Sequence, residues 1–562
     1  MSRKQPGHSG LTPMSVTRMR AGYGRSALIA DATAGLTVAI VALPLSMAIA
    51  IASGLTPDRG LFTAIIGGFI VSLLGGSRYQ IGGPAGAFIV LISVITAAHG
   101  VDGLILATIM AGVILLALGA LRLGSYVQFI PFPVVVGFTT GIAVIIFASQ
   151  ITALLGLTLA GAEPGPLFAK LGAIGAALPT ATPAAMFTSA ITIGMILFIR
   201  RFRPRWPALL IAVGVASAIA TLAHLPVETI SSRFGAMPRT PPLPSLPDIS
   251  YARLIELLPS AVSLALLGAI ESLLSAVVAD SMSDERHRPN AELLGQGVAN
   301  IASALFGGMT VTGTIARTAT NVRAGAHGPV AGMMHAGFLL LFLLIAAPLA
   351  GYIPLAALAG LLALVAWNMA EWREVGLLLR GSRGEAVVLA ATFLLTIFVG
   401  LAEGIVVGFG LKAMIFIHRM SEAAEIEQLP GAPSEPPETP ETHDPDIVVY
   451  RLKGVYFFGA AATAGHALDA ISTGCRALVI DFHDVRVVDT SGARMLAAFL
   501  TRMQRSDLDL IAASVSPDVR RAMRKHGHGT HHIRYAPTLE DAIEMAQAKN
   551  DGDETDAQKA DV

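Results

Sequence analysis

Cysteine is almost absent from this chain. Cys475 is the single one in 562 residues, so no disulfide can close within the chain and no cysteine-based metal cluster can form. Charge is scarce too: 14% of residues are Asp, Glu, Lys or Arg, and the 39 basic and 39 acidic side chains cancel. A nucleic-acid binder would carry a basic stripe, and nothing of that kind is present. The first 25 residues are polar and basic, without a short apolar core followed by a small-residue cleavage site. No cleaved signal peptide is expected there. What is abundant is apolar side chain, 53% of the chain, with a mean hydropathy of +0.65. A soluble protein does not tolerate that value, so most of the chain belongs in lipid.

Uncharged runs mark the spans. Ala32–Pro57 and Gly60–Ser77 are each long enough to cross about 30 Å of hydrocarbon as a helix. Further spans are read at Gly103–Leu121, Phe132–Leu157, Ala184–Ile199, Trp206–His224, Arg253–Asp280 and Ala291–Phe306. The stretch from Ala324 to Ala370, free of Asp, Glu, Lys and Arg, holds two more, broken near Gly351–Pro354. Ala386–Leu401 and Gly404–Ile417 follow, separated by Glu403. Two interrupted segments, Pro84–Ala98 and Thr314–Ala326, count as half-helices. The total is about fourteen, divisible into two sevens with the interrupted element third in each. An odd repeat unit forces the second copy to insert upside down, so an inverted pair is predicted.

Basic residues cluster before the first span (Arg3, Lys4, Arg18, Arg20, Arg25), between the sixth and seventh (Arg200, Arg201, Arg203, Arg205), after the eighth (Arg286, Arg288) and after the twelfth (Arg373, Arg380, Arg383). With this count all four fall on one side, which the positive-inside rule makes cytoplasmic. A multi-pass protein of the cell's inner membrane is expected, with both termini in the cytoplasm. The domain reading is a cytoplasmic segment 1–25, a transport domain 26–420, an acidic, Pro-rich linker 421–445, a small α/β domain 446–550 and a disordered tail 551–562. Apolar runs of strand length at Ile447–Tyr450 and Ala477–Asp481 alternate with helical spacing at Ala493–Met503 and Leu539–Ala546, which is the basis for the α/β assignment.

Two charges stand inside greasy stretches. Glu271 lies within Leu264–Val278 and Arg317 within Phe306–Ala319. A charge in hydrocarbon costs several kcal/mol, so a partner or an aqueous path is expected. The breaks themselves, Gly82-Gly83-Pro84 and Gly307-Gly308 to Gly313, suit helices that begin in mid-membrane. Such an end exposes unpaired N–H groups and the positive pole of the macrodipole, and two ends facing one another make an anion cradle. Thr312 or Thr314 is the expected N-cap, and Arg317 adds full charge about one turn in. The ordinary alternative, that the glycines only let helices touch, weakens when the pair is matched and one carries an Arg.

For Glu271, a carboxyl neutral in one state and ionised in another would carry a proton. The alternative is a static ion pair with Arg317, and both can hold. Ser275 is placed one turn on, within reach of Glu271. Asp31 is read as an interfacial residue at a helix start, Asp280 as solvated, and His327 and His335 as satisfied interhelical histidines. No nucleophile–base pair or metal cluster is found, so no enzyme activity, cofactor or metal is expected.

These residues resemble a known family. Leu43-Pro44-Leu45-Ser46-Met47-Ala48, Gln80–Phe88, Ala269–Ser275 and Thr312–Asn321 are similar to the SulP anion transporters, and Val485-Arg486-Val487-Val488-Asp489-Thr490-Ser491-Gly492 resembles a STAS domain. The resemblance covers nearly the whole chain. It implies an α-helical polytopic membrane protein with a seven-plus-seven inverted repeat, split into core and gate domains that work by an elevator-like movement, followed by the STAS domain. It implies a homodimer, and sulfate, bicarbonate or dicarboxylates as substrates. It places the anion pocket at Ala85, Gly86, Ala87, Phe88, Ile315, Ala316 and Arg317, and coupling at Glu271; Ser275, by its spacing, and Thr314 are the further coupling candidates. Leu45 replaces a Gln that some members carry near the substrate. Ser491 matches a position phosphorylated in STAS relatives that regulate sigma factors, although Thr490 departs from their pattern; the plain alternative for Ser491 is a helix N-cap.

The resulting expectation is a secondary active transporter of oxyanions, sulfate first, by proton symport. The second reading is sodium-coupled bicarbonate or C4-dicarboxylate transport. Readings of another class are a passive anion channel and a STAS-based signalling receptor. Expected partners are a small anion, a proton or sodium ion, the lipid bilayer, a second copy of the chain and a cytosolic protein at the STAS domain.

Overall fold

The computed structural model describes residues 10–20, 22–127, 131–161, 163–164, 167–204, 206–422, 425–429, 447–456, 477–494, 496, 509–526 and 534–548. They form two compact units, Met1–Phe409 and Gly410–Val562. Among the described residues, eight helices are long and apolar enough to cross a membrane, and Leu167–Thr180 and Ala208–Leu222 are shorter apolar helices.

The helices of the first repeat are α1 (Arg25–Ala52), α2 (Pro57–Leu74), α3 (89–99), α4 (101–120), α5 (Phe132–Leu155), α6 (Pro183–Phe202) and α7 (Ala208–Leu222). α3 and α4 would be one helix, Ile89–Ala120, but for Gly100, whose φ of 69° and ψ of −176° no L side chain adopts readily. The chain doubles back there. Phe88 and Leu115 both come within 3.8 Å of where a Cβ on Gly268 would stand. An unbroken helix would hold them about 40 Å apart.

The second repeat is α8 (Tyr251–Ser281), α9 (Pro289–Leu305), α10 (Ile315–Arg323), α11 (Val330–Ala350), α12 (Leu355–Met369), α13 (Arg383–Phe398) and α14 (Leu401–Glu422). Pro57, Pro133, Pro183 and Pro289 sit in first turns, where the absent N–H is no loss. The break between α11 and α12 lies at Gly351–Pro354, as the sequence predicts. α1 begins at Arg25 and not near Ala32, because one acid, Asp31, sits inside the helix rather than before it.

Packing sorts the helices into two groups. α1–α4 pack with α8–α11: α4 lies on α9, α11 on α1, and α8 on α3 and α4. α5 packs on α12 and α13, and α6 on α7 and α12. This is the core-and-gate division of an inverted repeat, with the interrupted third elements, α3 and α10, both in the first group.

In the second unit, a five-stranded sheet has the order Glu425–Leu429, Ile447–Tyr456, Ala477–Val488, Asp509–Ala513 and Arg534–Ala536. The first pair is antiparallel and the rest are parallel. Leu478, Ile480 and Phe482 pack on one face, and Val479 and Ile511 on the other, as a parallel sheet covered on both faces requires. The edge strand falls within the segment read as linker, where the acidic, Pro-rich composition hid Ile426 and Leu429. Cys475, Leu500, Met503 and the tail 551–562 lie outside the described residues.

Candidate functional site

The two breaks meet. Gly82–Gly83 and Thr312–Gly313 form a two-residue antiparallel ladder, Gly82 opposite Gly313 and Gly83 opposite Thr312. Thr314 N–H donates to Ile81 O at 3.1 Å, which extends it. α10 starts one residue beyond its strand. α3 starts after Pro84, Ala85 and a single 3-10 turn at Gly86–Phe88. The half-helix N-termini are therefore tied together at the centre of the first unit.

Irregular backbone at that depth survives only if protein groups satisfy it, and each half borrows side chains from helices around it. In the second break, Arg59 Nη1 donates to Gly307 O at 2.8 Å. Thr63, in a π turn of α2 (Thr63–Gly67), accepts Met309 N–H at 2.7 Å, and Ser303 Oγ donates to Met309 O at 2.7 Å. Asn300 imitates a strand partner: its Nδ2 donates to Val311 O at 2.9 Å and its Oδ1 accepts Val311 N–H at 3.0 Å. Gly313 N–H donates to Ser272 Oγ at 3.2 Å.

In the first break the organiser is Glu292, fully buried on α9. It accepts Gly76 N–H (2.9 Å), Ser77 N–H (3.0 Å), Gln80 Nε2 (2.7 Å) and Gln296 Nε2 (2.9 Å). Gln80 lies directly against Gly313, where a Cβ would fall 2.1 Å from its Nε2. The sequence signal of Glu292 is an acid at the second position of the predicted span Ala291–Phe306.

Arg317 is 1% exposed. Its Nη2 donates to Ser46 Oγ (3.2 Å) on α1 and to Pro84 O (3.1 Å) at the start of the α3 tip, so it joins both halves. Its Nε and Nη1 have no partner. Nη1 occupies the space next to Gly83, where an added Cβ would lie 1.9 Å away. Ala85, Ala87 and Phe88 are buried around this point; Gly86 is half-buried, while Ile315 and Ala316 are exposed. A Cβ on Gly86 would meet Met369 Sδ of α12 at 3.2 Å and Ile146 of α5 at 3.7 Å, so this tip faces the other helix group. All seven residues predicted for the anion pocket thus cluster at the two tips.

Several predicted contacts are not formed. Glu271 is half-buried, and no ion pair joins it to Arg317 or to any described residue. Ser275 does not reach Glu271; its hydroxyl donates to Thr318 Oγ1 at 3.0 Å, and Thr318 in turn accepts Ile81 N–H at 3.2 Å. Thr314 is the N-cap of α10 by position, but its hydroxyl turns back to Ile81 O at 3.3 Å instead of capping the helix. Asp31 is fully buried, accepting from the Tyr23 hydroxyl and from the N–H groups of His327 (2.5 Å) and Gly328 (2.9 Å); it pins the α10–α11 turn. Asp280 pairs with His287 at 2.6 Å. His335 is fully buried with neither ring nitrogen partnered, and His327 Nδ1 is likewise unpartnered, so neither is a fully satisfied histidine. In the second unit Ser491 is exposed, and the helix N-cap is Asp489, whose Oδ1 accepts Gly492 N–H at 2.7 Å.

The sulfate permease family model matches residues 28–392, and the STAS domain model matches 438–542. The chain belongs to the sulfate permease family. Among its curated relatives, a putative sulfate transporter, YvdB, of Bacillus subtilis is 38% identical over 90% of this chain and 95% of that protein. The bicarbonate transporter BicA of Synechocystis is 32% identical over 81% of this chain and 82% of its own. The solved transmembrane domain of a cyanobacterial BicA covers 69% of this chain and 98% of that chain, at 31% identity and a TM-score of 0.62. Murine Solute Carrier 26 family member A9, an anion transporter solved in an inward-facing state, shares the fold over 97% of this chain and 96% of its own, with a TM-score of 0.84 at 18% identity. The protein is accordingly a polytopic membrane transporter with a C-terminal STAS domain.

Proposed function

We propose that this transporter carries an oxyanion, sulfate first, and drives it with a co-transported proton. The observation behind this reading is the buried Arg317 guanidinium at two joined half-helix tips, with Nε and Nη1 left open. Tip amides and macrodipoles attract an anion, and the guanidinium adds full positive charge and open donors for charge-assisted hydrogen bonds to it. Ala85, Gly86, Ala87, Phe88, Ile315 and Ala316 form the rest of the pocket. Glu271, with no counter-ion, is the group that loads and releases the proton; Ser275, hydrogen-bonded to Thr318 of α10, and Thr314, hydrogen-bonded to Ile81, hold the geometry beside it. The α1–α4 and α8–α11 group moves as a body against the other helices, carrying the pocket across in an elevator cycle. The basic face with Arg200, Arg201 and Arg203 is cytoplasmic, both termini lie there in the inner membrane, and two copies associate. The STAS domain offers a surface for a cytosolic partner, with Ser491 exposed for modification. No step involves covalent chemistry.

A second reading, sodium-coupled bicarbonate transport, is favoured by the 32% identity to the Synechocystis bicarbonate transporter. Uptake into proteoliposomes separates the two: sulfate uptake should rise several-fold with an inward pH gradient and ignore sodium. Sodium-dependent bicarbonate uptake without a pH effect would instead select the second reading.

A further inference from the structure

A cavity of about 800 Å³ lies between the two helix groups, away from Arg317. On one side it is lined by Ala48 and Ala52 of α1 and by Ile89 and Ser93 of α3; on the other by Ser149 of α5 and Leu358 of α12. Ile89 adjoins Phe88, so the cavity reaches within one helical turn of the α3 tip. It opens on the face opposite Asp31 and the α10–α11 turn, since it is also lined by the segments joining α5 to α6 and α7 to α8.

Into this space the short helix Leu167–Ala177 brings Lys170, one of two lysines in residues 26–420. The residue is 7% exposed. Its ammonium donates to Ser149 Oγ at 2.6 Å and pairs with Glu163 at 2.8 Å, whereas the Glu163 side chain is 33% exposed. The other charges lining the cavity, Glu228 and Arg233, pair weakly with each other at 3.5 Å and are solvated. The imbalance is what matters. A buried ammonium must keep an anionic partner, because stranding it is costly. The carboxylate now serving is half in water, where releasing it costs little. An arriving oxyanion can take the place of Glu163, exchanging one charge-assisted pair for another.

We propose that Lys170 is a reception site for a small oxyanion in this cavity, with Glu163 as the ligand the anion displaces. It rests on the reading of the protein as an anion carrier and adds a station on the route to the α3 tip from this face.

The test is amine footprinting of the purified full chain. Lys170 acetylation is followed by mass spectrometry while sodium sulfate replaces sodium gluconate at constant ionic strength, with Lys453 as internal reference. Sulfate should slow Lys170 acetylation several-fold, and it should do so equally in Arg317→Gln, whose central pocket is disabled. In proteoliposomes, Lys170→Gln should raise the KM for the anion from the cavity face about tenfold with little change in maximal rate. Lys170→Arg should stay near wild type, and Glu163→Gln should lower that KM. A structural strut would make the Glu163 and Lys170 variants fail in the same direction. Unchanged Lys170 acetylation in sulfate, or KM shifts of the same sign in both variants, overturns the proposal. Protection of Lys170 without any anion uptake would sink the carrier reading and leave this site standing.

Discussion

Arg317 and Glu271 are the residues to which the proposal assigns anion binding and proton coupling, and the structure keeps them unpaired with each other. Each can therefore be tested alone. Arg317→Gln removes a charged donor worth about 1.5–3 kcal/mol to a bound anion, so binding should weaken about 10- to 100-fold; equilibrium binding of labelled sulfate measures it. Glu271→Gln should abolish the response of uptake to a pH gradient yet leave exchange of internal for external labelled anion within a few-fold of wild type. Loss of both activities would place Glu271 in the binding site instead. Glu292→Ala leaves Gly76 N–H, Ser77 N–H, Gln80 and Gln296 without their acceptor. At about 1–3 kcal/mol for each buried donor left unsatisfied, a melting temperature many degrees lower in detergent is expected, with Glu292→Gln in between. The charges at 271 and 317 were legible in the sequence because charge inside an apolar run is conspicuous. The hydrogen bonds of the polar residues around them were not. Ser275 choosing Thr318, or Asp31 reaching forward to His327 and Gly328, depends on residues distant in the chain that no spacing rule brings together.

Among the elements, the breaks matter more than the helices. Their positions could be read from glycine and proline, but what satisfies their backbone could not: Asn300 copying a strand, or Thr63 offered by a π turn of α2, is a tertiary device with no local signature. Gly83 and Gly313 admit Arg317 and Gln80 into the space a side chain would fill. Gly83→Ala should therefore displace the Arg317 guanidinium and abolish uptake while the protein still folds and elutes normally in size-exclusion chromatography. The helix Met14–Arg20 is held differently, by Arg18 and Arg78 converging on Glu285. Burial would raise the Glu285 carboxyl, but hydrogen bonds and charge from Arg18 and Arg78 hold it below the usual value of 4.5. A depressed carboxyl stabilises the fold above its unfolded-state value, and that contribution is lost as pH falls through the folded one. The helix should stay docked from neutral pH down to about 5 and loosen below about 4. An acid-active protease digest, counting cleavage between residues 14 and 20, reads it directly.

For the whole molecule, about fourteen elements in two inverted sevens were visible from the apolar runs together with the two interrupted segments, since spanning length and charge exclusion are set by the bilayer and not by neighbours. The edge strand Glu425–Leu429 was hidden, because a short polar strand owes its existence to the pairing surface of Ile447–Tyr456. Helix Leu167–Ala177 was missed for a similar reason: a loop rich in glycine and proline gave no sign of the buried lysine it carries. The central claim concerns the whole assembly, two broken spans joined tip to tip around a guanidinium so that a negative solute is held between moving halves. Uptake of radiolabelled sulfate, bicarbonate and fumarate by proteoliposomes bearing wild-type or Arg317→Gln protein tests it most directly. The account predicts that one of these anions accumulates above its external concentration in the wild type, and that the variant does not accumulate it. Equal accumulation by both proteins, or by neither for all three anions, would contradict it.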